Sequence, residues 1–328
     1  MRALPSFTVI VSISFALGFV FTGVAKGDTI ATYPTGTVLE NIAIGSTGTL
    51  FVSAINSGTV YEVTAAGSSQ VFGNVPGPLL GLAFNTDQTL VGVGGTSVYR
   101  FASDGAASLI ANVPGAQDLN GVTPFSPDTF LVADDLTPTI WQVNAKTGSS
   151  RAWVTTSLLA PSAALPIGGN GIKIFHGSVY ISNTGAGTLI RVPINPDGSA
   201  GAPEIYVSSF QVDDFAFGSD GSIFAATQTG SLIHLLADGM RTSIPTHTFG
   251  DAAIAFGRTA ADLRDIYVVN NGGVFVNPAG AEPASILQLS TNTTGIVPES
   301  QVVPEPVPAA LLLGALALLI LKSKKQAV

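Results

Sequence analysis

Gly169-Asn170-Gly171-Ile172-Lys173-Ile174, then Val179-Tyr180-Ile181-Ser182-Asn183, then Thr188-Leu189-Ile190-Arg191-Val192, is the pattern from which the chain is built. Each piece is a short apolar run that opens on a small or polar residue and closes at a turn, as successive strands of a meander do. Five other stretches repeat it. Aligned on Ile172, their opening strands fall at Ile42, Leu82, Val122, Phe215 and Ile254, an average step of roughly 42 residues, the length of a four-stranded propeller blade. The sequence therefore predicts an all-β fold, a six-bladed β-propeller spanning residues 28–290.

Composition agrees with this reading. Of 328 residues only 10% are charged, while 37 glycines and 20 prolines supply many tight turns, a balance that fits short strands better than long helices. A net charge of −8 leaves no basic stripe to neutralise phosphates, so nucleic acid is not an expected partner. With no cysteine there is no disulfide framework, thiolate zinc site or cysteine nucleophile. The compartment stays open, because a domain of this size can rest on its core alone. The chain also lacks a Gly-x-Ser-x-Gly elbow, a His-Glu-x-x-His pair and a phosphate-cradling loop. His176, His234 and His247 read as structural or exposed, with His247 the first alternative as a general base.

Asp28 to Tyr33 is a strand with no blade of its own. A closed propeller needs its last blade completed from the other terminus, which removes an exposed sheet edge, so this strand is expected on the outside of blade six. Blade three is followed by an apolar insert, Thr155 to Gly168, that ends beside Asn170 and is expected as a lid or a substrate-binding loop.

The two ends differ from the middle. Residues 1–27 carry Arg2, an apolar run from Phe7 to Val24 and a small-residue exit, which reads as a secretory signal peptide, with an uncleaved anchor as the alternative. Residues 291–302 read as a polar linker. In residues 303–328, Pro304-Glu305-Pro306 precedes an apolar run from Val307 to Leu321 and then Lys322, Lys324 and Lys325. This end resembles the PEP-CTERM sorting signal of bacterial proteins. The resemblance implies a transmembrane segment, at least transient membrane contact, and processing by an exosortase-like protease. Export to the cell surface or beyond is the expectation.

Two residues before each aligned position stand Glu40, Leu80, Asn120, Asn170, Asp213 and Ala252. The first strand of every blade lines the central channel, so these side chains should form a ring at one mouth. Glu40, Asn120, Asn170 and Asp213 are hard oxygen donors that suit one divalent cation, Ca²⁺ first, with Mg²⁺, Mn²⁺ or Zn²⁺ as alternatives. The other reading is that they bond local backbone where strands begin.

The blade count, the Asn170-Gly171-Ile172 opening with its Tyr180 and Ile190-Arg191 strands, and the order Glu, Asn, Asn, Asp resemble the gluconolactonase/senescence marker protein (regucalcin) family over about residues 28–290. The resemblance implies that Glu40, Asn170 and Asp213 hold the cation. It further implies that Asp213 is the catalytic base for water attacking a lactone, with Asn120 binding substrate. Three departures stand out. Glu40 is followed by Asn41-Ile42 where the family has Gly or Ser and then Pro, Val212-Asp213-Asp214 replaces Pro-Asp-Gly, and Asp118 takes the place of an Arg. The last moves the expected substrate from sugar lactones toward a neutral or apolar lactone or ester. The expectation is a metal-dependent hydrolase; the alternative is a non-catalytic surface propeller that binds a polymer or protein partner and keeps the cation for structure.

Overall fold

The computed structural model describes residues 27–297, so the expected cleavable segment up to Lys26 and the Pro304-Glu305-Pro306 motif with its apolar run lie outside the described residues. Within them the chain forms six four-stranded antiparallel sheets. Their first strands are Leu39–Ile44, Leu82–Phe84, Leu119–Ser126, Gly169–Phe175, Phe215–Phe217 and Asp251–Phe256. Each of these touches the first strand of the blade before and after it, and the last touches the first, so the ring is closed.

Burial follows distance from the axis. Inner strands such as Leu39–Ile44 and Leu119–Ser126 are buried at every residue. A strand covered on both faces reads as a continuous apolar run instead of an alternating one. Fourth strands such as Ser69–Asn74 and Glu204–Ser208 are mostly exposed. In the last sheet the outer place is taken by Asp28–Thr32, which pairs antiparallel with Ser285–Ser290, from Asp28 opposite Gln288 to Thr32 opposite Ser285. Tyr33 N–H then donates to the Ala284 carbonyl at 2.7 Å. The chain thus closes its own ring, as the lone strand predicts.

The core is six wedges, one between each neighbouring pair of blades. Blades six and one share Tyr267, Val269, Leu39 and Leu50, while blades four and five share Phe210, Phe215, Phe217 and Leu189. Each fully buried side chain of this kind contributes about 1.5–3 kcal/mol, and aromatic pairs such as Phe175 stacked on Phe217 at 4.3 Å lock the wedges together. Trp153 lies in the wedge between blades three and four, its Nε1 donating to the Gly198 carbonyl at 2.9 Å.

Residues 291–297 fold back against the end of the propeller opposite the ring. Thr291 N–H donates to the Arg264 carbonyl, Ser219 N–H to that of Thr294, and Ile296 N–H to that of Phe217. Among the described residues no helix is long and apolar enough to cross a membrane.

Candidate functional site

The ring is produced by one backbone device used in every blade. In blade one Leu39 pairs with Ala54 and Ile42 with Val52, so three steps on the inner strand face two on its neighbour. Blades three and four repeat this from Leu119 to Val122 and from Gly169 to Ile172, and blade six has an extra residue between Asp251 and Ala253. In blade two Leu80 N–H donates to the Val93 carbonyl and Val93 N–H to that of Gly81. In blade five Asp213 and Asp214 bracket Ala226 in the same way. Such a bulge re-aims the side chain of the extra residue, and here the bulged stretches carry Glu40, Leu80, Asn120, Asn170, Asp213 and Ala252.

Asp213 is the best-held member. Its Oδ1 accepts from Asn170 Nδ2 at 2.7 Å, its Oδ2 from Gln228 Nε2 at 2.7 Å, and its carbonyl from Ser182 Oγ at 2.6 Å. Asn170 Nδ2 also reaches Thr184 Oγ1 at 3.2 Å, and that hydroxyl donates to the Val212 carbonyl at 2.9 Å. Glu40 is buried, and Asp213 is the strongest of the charges acting on it, followed by Asp135. Asn120 donates through Nδ2 to Asp135 Oδ2 at 3.3 Å. Asn170 and Asp213 are thus joined by a hydrogen bond, as are Asn120 and Asp135, and Glu40 feels both Asp213 and Asp135.

Electrostatically the mouth is short of positive charge. Burial, with Asp213 and then Asp135 and Asp214 adding repulsion, pushes the Glu40 carboxyl well above the usual carboxylate range. Burial lifts Asp213 to about 7 against the opposing hydrogen bonds from Gln228 and Asn170. Asp135 rises to about 7 through burial and the neighbouring Asp118. No lysine or arginine is among the charges shifting these three groups.

The donor chemistry fits a hard divalent cation. Asn120 and Asn170 turn their amide nitrogens toward carboxylates, which leaves their carbonyl oxygens to face elsewhere. Asp135 Oδ1 and Gln228 Oε1 are buried acceptors with no donor, the kind of orphaned oxygen that a bound cation or substrate donor would satisfy. Among the described residues no three His, Cys, Asp or Glu side chains converge as a metal cluster. The site thus has two interacting carboxylates, Glu40 and Asp213, and would draw its other ligands from amides.

Three of the polar groups around the ring escape a reading of the inner strands alone. Asp135, Thr184 and Gln228 follow the ends of second strands, just past Asp134, Asn183 and Ala226. Aligning the second strands as well as the first is the signal that would have found them. The insert expected as a lid or a substrate-binding loop is tied to the blades. Leu159 is fully buried, Asn183 Nδ2 donates to both the Leu158 and Ala160 carbonyls at 2.9 Å, and Gly168 N–H donates to the Asp135 carbonyl at 2.6 Å. His234 stacks on Phe224 at 4.1 Å in blade five with a buried, unpartnered Nε2, and burial lowers its pKa. His247 is exposed on the loop before the inner strand of blade six.

Comparison with known proteins supports the fold directly. No family model matches the chain. A protein named "Putative hetero-Diels-Alderase asR5" from Sarocladium schorii is 25% identical over an alignment of 312 residues, covering 72% of this chain and 76% of that protein. A calcium-binding regucalcin from Agrobacterium tumefaciens superposes with a TM-score of 0.63 at 15% identity, covering 85% of this chain and 98% of that one. A gluconolactonase from Xanthomonas campestris does so with a TM-score of 0.63 at 16% identity, covering 81% and 90%. The structural neighbours are thus gluconolactonase- and regucalcin-like propellers, and at these identities the likeness is one of fold.

Proposed function

We propose that the ring is the active centre of a divalent-cation-dependent hydrolase acting on neutral lactones or esters. One observation carries the reading: the Asp213 carboxylate is fixed by the Asn170 and Gln228 amides at the channel mouth, with the buried Glu40 nearby. A base works best when its geometry is set in advance. Glu40, Asn170 and Asp213 would hold the cation, which when bound polarises a carbonyl and acidifies water. Asp213 takes the proton of the water that attacks the carbonyl carbon and returns it to the departing alkoxide oxygen. Asn120, anchored on Asp135, orients the substrate. Asp118, in the place of the family's Arg, favours an uncharged substrate over a sugar acid. The regucalcin and gluconolactonase neighbours support the choice of cation and reaction as analogy.

A second reading is favoured by the sequence relative named for a cycloaddition. Under it the same mouth binds neutral organic reactants and no water adds. Turnover of a lactone and ester panel in ¹⁸O water, with Ca²⁺, Mg²⁺, Mn²⁺ or Zn²⁺ present, separates the two. Label in the acid product supports hydrolysis; a diene and aldehyde pair whose cycloadduct forms faster with the protein than without it supports the second reading. A cation that raises the melting temperature with no turnover leaves a structural site in a binding propeller. Export, with sorting through Pro304-Glu305-Pro306, completes the proposal, and mass spectrometry of the mature termini tests it.

A further inference from the structure

At the end of the propeller opposite the ring, a cleft of about 470 Å³ opens between blades one and two. Its volume is that of a small-molecule site. Blade one contributes Phe51, Glu62 and Phe72 to its lining, and blade two Phe84, Asp87 and Phe101. The four rings belong to one packed cluster, in which Phe51 meets Phe72 edge-on at 4.9 Å and Phe84 at 5.4 Å, and Phe72 is tilted against Phe101 at 6.3 Å. Phe72 is only half-buried, so this aromatic floor keeps a surface to offer.

The charge that faces the cleft is negative. Glu62 Oε2 accepts from Gln70 Nε2 at 2.8 Å and Asp87 Oδ1 from Thr89 N–H at 3.0 Å, and among the described residues the second oxygen of each carboxylate has no donor and neither group is in an ion pair. Among the described residues that line the cleft Arg100 is the only basic one, and its guanidinium is turned away. Successive strand residues point to opposite faces: Phe101 packs toward blade one, while Arg100 Nη2 donates to the Ala145 carbonyl of blade three at 2.8 Å.

A strained residue braces the cleft. Gln88 has φ 63° at the turn position that Gly48 fills in blade one and Gly221 in blade five, and in each turn the N–H of this residue donates to the carbonyl three positions back. A side chain is costly in this left-handed conformation and glycine is not. Here the side chain reaches across the cleft, where Gln88 Oε1 accepts from Ser46 N–H of blade one at 3.1 Å. Strain retained in a folded chain points to a use for it. We propose that this cleft, braced by Gln88, is a second binding site, for a small primary ammonium ion with an aromatic body. The ammonium donates to the open oxygen of Glu62, and Asp87 adds attraction from the turn of blade two. The aromatic body packs edge-to-face on the phenylalanine floor, chiefly on Phe72.

The test uses the full chain with benzylammonium as probe and benzoate as a comparator of similar size and opposite charge, followed by saturation-transfer NMR. Benzylammonium should bind with a dissociation constant in roughly the millimolar range, and benzoate about tenfold more weakly or less. Glu62→Gln/Asp87→Asn keeps the side-chain shapes and should weaken benzylammonium about fivefold or more, while far-UV circular dichroism stays that of the wild type. Glu62→Gln alone keeps the test decisive where the double variant does not fold. Gln88→Gly relieves the strained position, so its melting temperature should not fall, yet with the brace gone it should bind benzylammonium more weakly than the wild type. No saturation transfer from benzylammonium in the wild type, benzoate bound as tightly, or undiminished binding by a folded carboxylate variant or by Gln88→Gly would each overturn the proposal.

Discussion

Replacing Asp213 by Asn separates holding a cation from taking a proton. The substitution conserves volume, and its cost in stability follows from the two amides around it. One oxygen of the new side chain still accepts from Asn170 Nδ2, while its nitrogen faces Gln228, whose Oε1 has no donor in the native protein. A flip of the Gln228 amide brings that orphaned oxygen round to accept. Two charge-assisted bonds become neutral ones, each weaker by about 1 kcal/mol. The variant also no longer buries an ionisable group. These effects oppose each other, so stability measured by urea melts should stay within about 1 kcal/mol of wild type. Catalysis has no such compensation, because a neutral amide accepts no proton. Loss of a general base costs about 10²- to 10⁴-fold in kcat, roughly 3–5 kcal/mol in the barrier. Cation affinity, measured by calorimetry, should fall less than kcat does. A folded Asp213→Asn protein that hydrolyses a confirmed substrate at the wild-type rate would remove Asp213 from the mechanism. A variant that loses several kcal/mol of stability would refute the account of Gln228.

Asp251 is fully buried, and although Thr246, Thr248 and Asn270 donate to it, burial lifts its pKa from 3.8 to about 6. Its penalty is absent below pH 3.8, grows as the unfolded chain ionises, and is complete above about pH 6, so Asp251→Asn should gain about 3 kcal/mol relative to wild type between pH 3.5 and 7; parallel stability curves would contradict this. Leu159→Ala should cost about 2–5 kcal/mol and loosen the wall beside Asn170, raising KM more than it lowers kcat; unchanged kinetics would show that the wall does not touch substrate. Gly121→Ala forces a Cβ to within 2.2 Å of the Asn170 carbonyl and should cost about 1–3 kcal/mol by overpacking, read as a lowered melting temperature, while an unchanged one would mean that blades three and four are free to part.

Much of the fold could be read from residue order because a propeller repeats a local unit. Each blade shows its strand lengths and turns within roughly 42 consecutive residues, and the lone strand at Asp28 announces ring closure by having no partner nearby. Ring positions followed from the same alignment. The insert at 155–168 was harder, because its apolar residues look alike whether they cap a moving lid or a packed wall. The bonds that tie it to the blades, from Asn183 Nδ2 and from Gly168 N–H to the Asp135 carbonyl, are visible only in the structure.

The sequence alone determined the six blades, the closing strand and the order of polar residues around the channel, since each rests on spacing within a blade. Tertiary structure decided which of those residues act together. Asn170 and Asp213 lie 43 positions apart, and Asn41 and Asp214 lie 173 apart, so nothing in local periodicity relates them. In the sequence Asn41 and Asp214 look like ordinary polar residues at strand starts. The closed ring turns them toward each other and joins Lys173 to them. Blade packing, by excluding water, pushes Glu40, Asp135 and Asp213 out of their usual titration range. Desolvation is a property of the assembled ring and of no single segment.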